Sequence, residues 1–204
     1  MPLFKKILEH ITELRIKIFS SYNIENNNKN YEPYTKDSFN LLKLNNNDKY
    51  YSSLYDLLLT TNQIEYYGNV PQTILFDHMK TSKLLFYPNT FGETCCTSLL
   101  EAMASRCFIV SSDIGALKET SNGMAFLYNP KIDINYEDDT FIINPIRYNQ
   151  LDHDYVTNIV NKTVELINNY DKESYQQHLE KQIDYIENNC LWKHKANSIN
   201  DLLL

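Results

Sequence analysis

Glycine is scarce: the 204-residue chain has only four, Gly68, Gly92, Gly115 and Gly123. In a chain so poor in glycine, each one marks a backbone conformation or a close approach that other residues resist. Long apolar runs are missing as well. No stretch reaches the roughly 20 residues that cross a bilayer, which excludes a transmembrane helix. The net charge is −7 and the lysines and arginines are scattered. That excludes the basic patch a nucleic-acid backbone requires and the polybasic run that an anionic membrane surface attracts. The four cysteines (Cys95, Cys96, Cys107 and Cys190) lack metal-ligand spacing, and adjacent Cys95 and Cys96 cannot easily bridge each other. They read as four reduced thiols of a cytoplasmic protein. Met1 to Phe19 alternates charged and apolar residues, unlike a secretory leader. The five histidines (His10, His78, His153, His178 and His194) match neither a metal spacing nor a catalytic triad, and the acidic run Glu137–Asp139 reads as a solvated loop. No metal site is expected.

What is present suits one globular domain over residues 1–204. Hydrophobic residues make up 43% of the chain, enough for a sizeable core. Leu3, Ile7, Leu8, Ile11 and Leu14 fall on one face, which predicts a helix over Pro2–Leu14. Arg15–Ser20 reads as a strand, Tyr22–Asn47 as a long asparagine-rich loop, and Lys49–Thr60 as a second helix. Strands are expected at Ile64–Tyr67, Leu84–Tyr87, Cys107–Ser111 and Ala125–Tyr128. Helices run through Met79 (with Pro71 in the first turn), over Thr94–Ser105, and near Ala116–Thr120. Alternating strands and helices predict an α/β fold with a parallel, doubly wound sheet. Lys131–Gln150 is acidic and irregular. From Leu151 the chain turns helical, with Tyr155, Ile159, Val160, Val164 and Ile167 on one face, and a further helical stretch over Leu179–Leu204 carries Trp192 as a packing residue. The core is expected at residues 64–128 and the C-terminal helices at 151–204.

The most informative stretch runs from Tyr87 to Ala104: an apolar strand, Pro88, a short polar loop, then a helix, with Glu93 just before the helix and Glu101 eight residues on. A strand that delivers a helix N-terminus to a crevice is how open α/β sheets bind phosphorylated ligands. If the helix began at Thr94, the two carboxylates would stand about 12 Å apart along its axis and about 80° apart around it, so both could face one cleft. That span fits a nucleotide-sugar, with a carboxylate at each end accepting hydroxyl hydrogen bonds and the helix N-terminus facing the diphosphate.

This stretch resembles the Glu-x7-Glu motif of retaining GT-B glycosyltransferases, family 4 in particular. The resemblance runs from Ile64 to Tyr128. It includes Ile64–Val70, like the strand before that family's nucleotide-contacting loop, and Ser111–Glu119, like its Ser-Asp-x-Gly segment with a closing Glu. It implies the donor-binding, C-terminal half of the fold, with a Rossmann-like parallel sheet and flanking helices. By that resemblance Phe91, Gly92, Glu93, Thr94 and Cys95 bind the donor sugar and phosphates. Glu101 holds the ribose and Val70 reads the base through backbone groups, while Gly115 and Glu119 match the later motif. The implied substrate is a nucleoside-diphosphate sugar, with no cofactor and no catalytic residue assigned in this half.

Three departures qualify the resemblance. The acceptor domain is expected to be missing, as is the Arg and Lys pair that the family offers the diphosphate; Lys5 and Lys6 have no surrounding motif to support that role. In the strand order 3-2-1-4-5-6, Arg15–Ser20 counts as strand 2 and Ile64–Tyr67 as strand 3, so the central first strand is expected to be missing. Either a second polypeptide would then supply that strand or the acceptor domain, or the sheet rearranges, or the sequence is a fragment of a longer gene. The alternatives are a non-catalytic remnant or a partner-binding subunit of a split enzyme. A nucleotide-sugar epimerase shares the fold, but the Glu-Thr-Cys form of the motif speaks against it. Finally, Arg106 stands where the family closes its helix with a left-handed glycine, at an expected cost of roughly 1–2 kcal/mol and a sign of relaxed constraint.

Overall fold

The computed structural model describes residues 2–19, 30–35, 60–89, 92–131, 151–191 and 193–194. The helix expected over Lys49–Thr60, most of the loop before it, the excursion after Lys131, and Trp192 lie outside the described residues. The chain divides into two compact units, Met1–His78 and Met79–Leu204.

In the first unit, helix α1 (Pro2–His10) buries Leu3 and Ile7. It stops short of the expected Leu14, because a turn follows in which the Leu14 N–H bonds the Ile11 carbonyl. Strand β1 (Ile16–Phe19) pairs in parallel with β2 (Ile64–Gly68), Ile16 opposite Ile64 and Phe19 opposite Gly68, with an irregularity between Ile18 and Phe19. Gly68, at φ 69°, ends β2 in the left-handed region. Pro71 then starts α2 (Gln72–Lys80), its carbonyl accepting from the N–H groups of Ile74 and Leu75. At the far end of the strands Phe19 stacks on Tyr67 with ring centroids 4.9 Å apart, and His78 packs on both. Lys17 Nζ donates to His78 Nδ1 at 3.2 Å, and Tyr67 donates to Glu65 at 2.9 Å. Burial, then the Lys17 charge, lowers the His78 pKa; Glu65 and Asp77 oppose the shift without reversing it.

The second unit holds a parallel ladder in the order β3–β4–β5: Leu84–Tyr87, Phe108–Ser112 and Phe126–Tyr128. With the strands from Leu84 onward counted as 4 to 6, the pairings 3–2 and 4–5–6 of the expected order are the ones formed. β4 is central, and all five of its residues are buried, as befits a strand covered on both faces. Its two serines are satisfied internally. Ser111 Oγ donates to the Tyr87 carbonyl at 2.6 Å, and Ser112 Oγ shares a 2.9 Å hydrogen bond with the Tyr155 hydroxyl. Helix α3 (Thr97–Ala104) follows β3, and the short α4 (Leu117–Ser121) follows β4.

Two long helices complete this unit, α5 (His153–Asn168) and α6 (Glu173–Tyr185), the latter running into a π-turn at Ile186–Cys190. Asp152 caps α5 by accepting from the Tyr155 N–H. That bond, then Lys131, lowers the Asp152 pKa. The buried face of α5 is Tyr155, Ile159, Val160, Thr163 and Leu166. Thr163 takes a core position beside the expected apolar residues because its hydroxyl donates to the Ile159 carbonyl within the helix, and Val164 and Ile167 are only half-buried. From α6, the fully buried Gln182 donates to the Cys107 carbonyl at 3.0 Å. Its Oε1 has no hydrogen-bond partner among the described residues.

Arg106 does take up the left-handed conformation, at φ 62°. It closes α3 in a Schellman motif, with the Arg106 N–H on Met103 and the Cys107 N–H on the Ala102 carbonyl. The reading of relaxed constraint needs correcting, because the side chain has partners. The guanidinium donates to Gln176 Oε1 at 3.0 Å and lies 3.8 Å from Glu180. The Arg106 carbonyl accepts from the Tyr170 hydroxyl at 3.1 Å. A glycine here would relax the backbone but lose the side-chain contacts with Gln176 and Glu180 of α6.

Two outcomes follow from these contacts. Arg106→Gly trades about 1 kcal/mol of backbone strain for about 1 kcal/mol of lost hydrogen bonding and melts near the parent, whereas Arg106→Ala keeps the strain, loses the contacts, and melts lower by the equivalent of about 1 kcal/mol. For His78, the lowered pKa means that the unfolded chain takes up the proton first. Its stabilising contribution is thus complete above its ordinary value of 6.5 and is lost as pH falls through the lower folded value. The melting-temperature gap between the parent and His78→Gln is expected to narrow as pH drops from 7.5 to 5; a gap that widens would contradict this sign.

Candidate functional site

The geometry around Glu93 is set by three chain segments of the second unit. The first is the end of β3. Tyr87 lies opposite Ser111 in the ladder, and its carbonyl accepts both from Ser111 Oγ and from the Asn89 N–H at 2.8 Å. The chain therefore turns sharply through Pro88 and buries Asn89, whose Oδ1 lies 3.4 Å from Ser111 Oγ.

The second segment is the loop after β4. The Ala116 N–H donates to the Glu93 carbonyl at 2.8 Å. Gly115 has φ 62°, and a Cβ built there would stand 2.5 Å from the Glu93 oxygen and 2.6 Å from its nitrogen. Glycine is required at 115 on both counts, conformation and closeness. The motif residue is therefore a backbone clasp on Glu93. The Glu93 carboxylate is half-buried and accepts from the Tyr87 hydroxyl at 2.6 Å.

The third segment is α3, and it begins later than expected. The first helical residue is Thr97, with Cys96 at φ −89° and ψ 92° before it. A Thr94–Ser105 helix would have bonded the Glu93 carbonyl within its first turn, but Ala116 takes that carbonyl instead. Thr94, Cys95 and Cys96 are also poor helix formers. Glu93 is therefore not on the helix, and the axial and angular separation from Glu101 expected for a continuous helix does not apply. The first-turn amides lacking an intrahelical acceptor begin beyond Cys95.

Of the expected site residues, Gly92, Glu93, Thr94, Cys95 and Glu101 are placed within the second unit. Gly92, Thr94 and Cys95 are exposed and Glu101 is half-buried on α3. Phe91 lies outside the described residues. Val70 lies in the first unit, half-buried between β2 and α2. Gly92 differs from Gly115: its φ is not positive, and nothing lies within 4 Å of where a Cβ would stand. Among the described residues, packing gives no reason for glycine at 92. Glu119 is exposed on α4. Sequence reasoning missed Tyr87 and Asn89. The available signal was the Tyr-Pro-Asn stop to an apolar strand, which places a hydroxyl and an amide at the strand's carboxyl end.

Several of the other reactive side chains have structural partners. Burial pushes the Cys107 thiol up to about 12, and it donates to the Met79 and Ser82 carbonyls. Burial also raises the Cys96 pKa. All four cysteines are free thiols. His178 bonds the Met124 carbonyl at 2.9 Å and packs against Phe108 and Phe126, and His194 bonds the Glu187 carbonyl. Among the described residues no helix is long and apolar enough to cross a membrane.

Residues 44–134 match the family model for glycosyl transferases, group 1. That stretch contains β2 to β5, both carboxylates and the Gly115 clasp. The match supports a C-terminal domain of the GT-B type and a glycosyltransferase-like function. No curated protein matches the chain.

The clasp can be tested against a matched control. Gly115 and Gly123 both have positive φ, but a Cβ at 123 would meet nothing within 4 Å. Gly123→Ala is expected to destabilise by about 1 kcal/mol and Gly115→Ala by about 3 kcal/mol, the excess being the overlap with Glu93. Equal losses in denaturant melts would mean that the clasp is not tight in solution.

Proposed function

We propose that this chain is the nucleotide-sugar-binding module of a retaining, family 4-like glycosyltransferase. The observation that carries the reading is Glu93. It stands at the carboxyl end of a parallel strand, its backbone clasped by Gly115 and Ala116 and its carboxylate ordered by Tyr87, beside a glycine that faces open space. Ligands of open α/β sheets bind beyond the carboxyl ends of the strands. In this reading Glu93 accepts hydroxyl hydrogen bonds from the donor sugar and Glu101 those of the ribose, both as acceptor-only carboxylates. Gly92 and Phe91 let backbone amides approach the sugar and phosphates. The amides of Thr94 and Cys95, continued by the first turn of α3, meet the diphosphate, where the helix dipole and N–H groups favour negative charge. Val70 is assigned to the base, through its backbone, by the family resemblance alone. As the glycosidic bond breaks, charge grows on the leaving diphosphate, and preorganised amides stabilise that charge more than the ground state. No cofactor enters this scheme. Transfer also needs an acceptor-binding half and cationic partners for the diphosphate, which we propose are supplied by a further segment of the same protein or by a second polypeptide.

The test is a thermal melt of the purified chain with UDP-, GDP- and ADP-linked sugars, in parallel with Glu101→Ala. A ligand that binds only the folded state, at about 100 times its Kd, stabilises by roughly 2.7 kcal/mol. One base class is expected to raise the parent's melting temperature and to fail with the variant. A transition indifferent to every nucleotide-sugar would sink the reading and favour a non-catalytic role.

A further inference from the structure

We propose that Tyr87 is a positioning residue for donor binding: its hydroxyl holds the Glu93 carboxylate in the orientation that grips the sugar. The inference rests on the reading of Glu93 given above and goes beyond it by assigning a role to a residue outside the Glu-x7-Glu pattern.

Tyr87 is the last residue of β3, and its backbone is tied on two sides, by the ladder register with Ser111 and by the Ser111 hydroxyl and Asn89 amide on its carbonyl. The phenol therefore projects from a fixed base. It donates to Glu93 Oε1 at 2.6 Å, the short distance of a charge-assisted O–H···O contact. The Glu93 backbone is fixed independently by Gly115 and Ala116. A flexible side chain is thus held at both ends, its main chain by the loop after β4 and one carboxylate oxygen by β3. Oε2 has no hydrogen bond among the described residues. A phenol suits this task better than a cation would. It orders the carboxylate without neutralising it, so the remaining oxygen keeps its full strength as an acceptor for a sugar hydroxyl. Rotamer freedom lost before binding is not lost again when the ligand arrives.

The experiment compares Tyr87→Phe, which removes only the O–H, with the parent and with Glu93→Ala. Calorimetry measures the affinities for UDP-, GDP- and ADP-glucose and for UDP, GDP and ADP. Tyr87→Phe is expected to weaken the sugar nucleotide by about tenfold while the bare diphosphate changes by less than about twofold, the loss of one charge-assisted hydrogen bond confined to the sugar end. A parallel loss for both ligands, or no loss for either, would overturn the positioning role. If Glu93→Ala leaves the preference for sugar nucleotide over diphosphate untouched, or nothing binds the parent, the reading of Glu93 fails instead. A ligand-free arm decides the contact itself. In a thermal double-mutant cycle of Tyr87→Phe and Glu93→Ala, the two losses are expected to be non-additive, and additivity would overturn the inference whatever the nucleotides do.

Discussion

The second unit is organised around a contact between two stretches of backbone. Gly115 lies so close to Glu93 that no side chain fits between them, and the amide next to it takes the Glu93 carbonyl. This contact joins the loop after β3 to the loop after β4 at the carboxyl ends of adjacent parallel strands. It also determines where α3 begins. A helix starting at Thr94 would claim the carbonyl that Ala116 already holds, so three residues run non-helically before Thr97. The Glu-x7-Glu spacing therefore spans a loop and a helix, and the two carboxylates are fixed by different elements. Glu93 is set by tertiary contact and Glu101 by helical geometry.

Around this contact the unit uses polar groups where a simpler core would be apolar. β4 is buried on both faces yet ends in two serines, each tied to a neighbour: Ser111 to the backbone of β3 and Ser112 to Tyr155 of α5. At the other end of α3, Arg106, Tyr170, Gln176 and Gln182 bind the C-terminal helices to the helix-strand turn. Each of these bonds contributes modestly, about 1 kcal/mol by ordinary estimates, but each is directional. Hydrophobic burial would hold α5 and α6 against the sheet in several registers; these bonds select one. The same logic explains the tolerated left-handed arginine, whose strain is offset by contacts a glycine could not make.

The first unit follows a different rule. Its strands carry a stacked Phe19–Tyr67 pair with His78 against both rings and Lys17 donating to the imidazole. That arrangement requires a neutral histidine, which burial and the lysine charge both favour. The histidine is thus accounted for by packing and hydrogen bonding within the unit.

Local pattern was enough for much of this. Leu84–Tyr87 was legible to the residue as a strand, and the other four strands to within one residue, because short apolar runs bounded by turn residues allow little else. Gly68, Gly115 and Gly123 were rightly read as conformationally special; Gly92 was not special in conformation. Legible too was the α/β class, since alternation of strands and helices is written in period and punctuation; the separation expected for Glu93 and Glu101 on one continuous helix was not, because α3 begins at Thr97. Other features depended on contacts between residues distant in the chain. The start of α3 was decided by Ala116, 23 positions from Glu93. The meaning of Arg106 was decided by Gln176, 70 positions away. The order of the Glu93 carboxylate was decided by a tyrosine whose orientation depends on a sheet register. Periodicity reports what a residue does to its own helix or strand. Which carbonyl an amide takes, and which side chain a carboxylate meets, is settled only when the strands align.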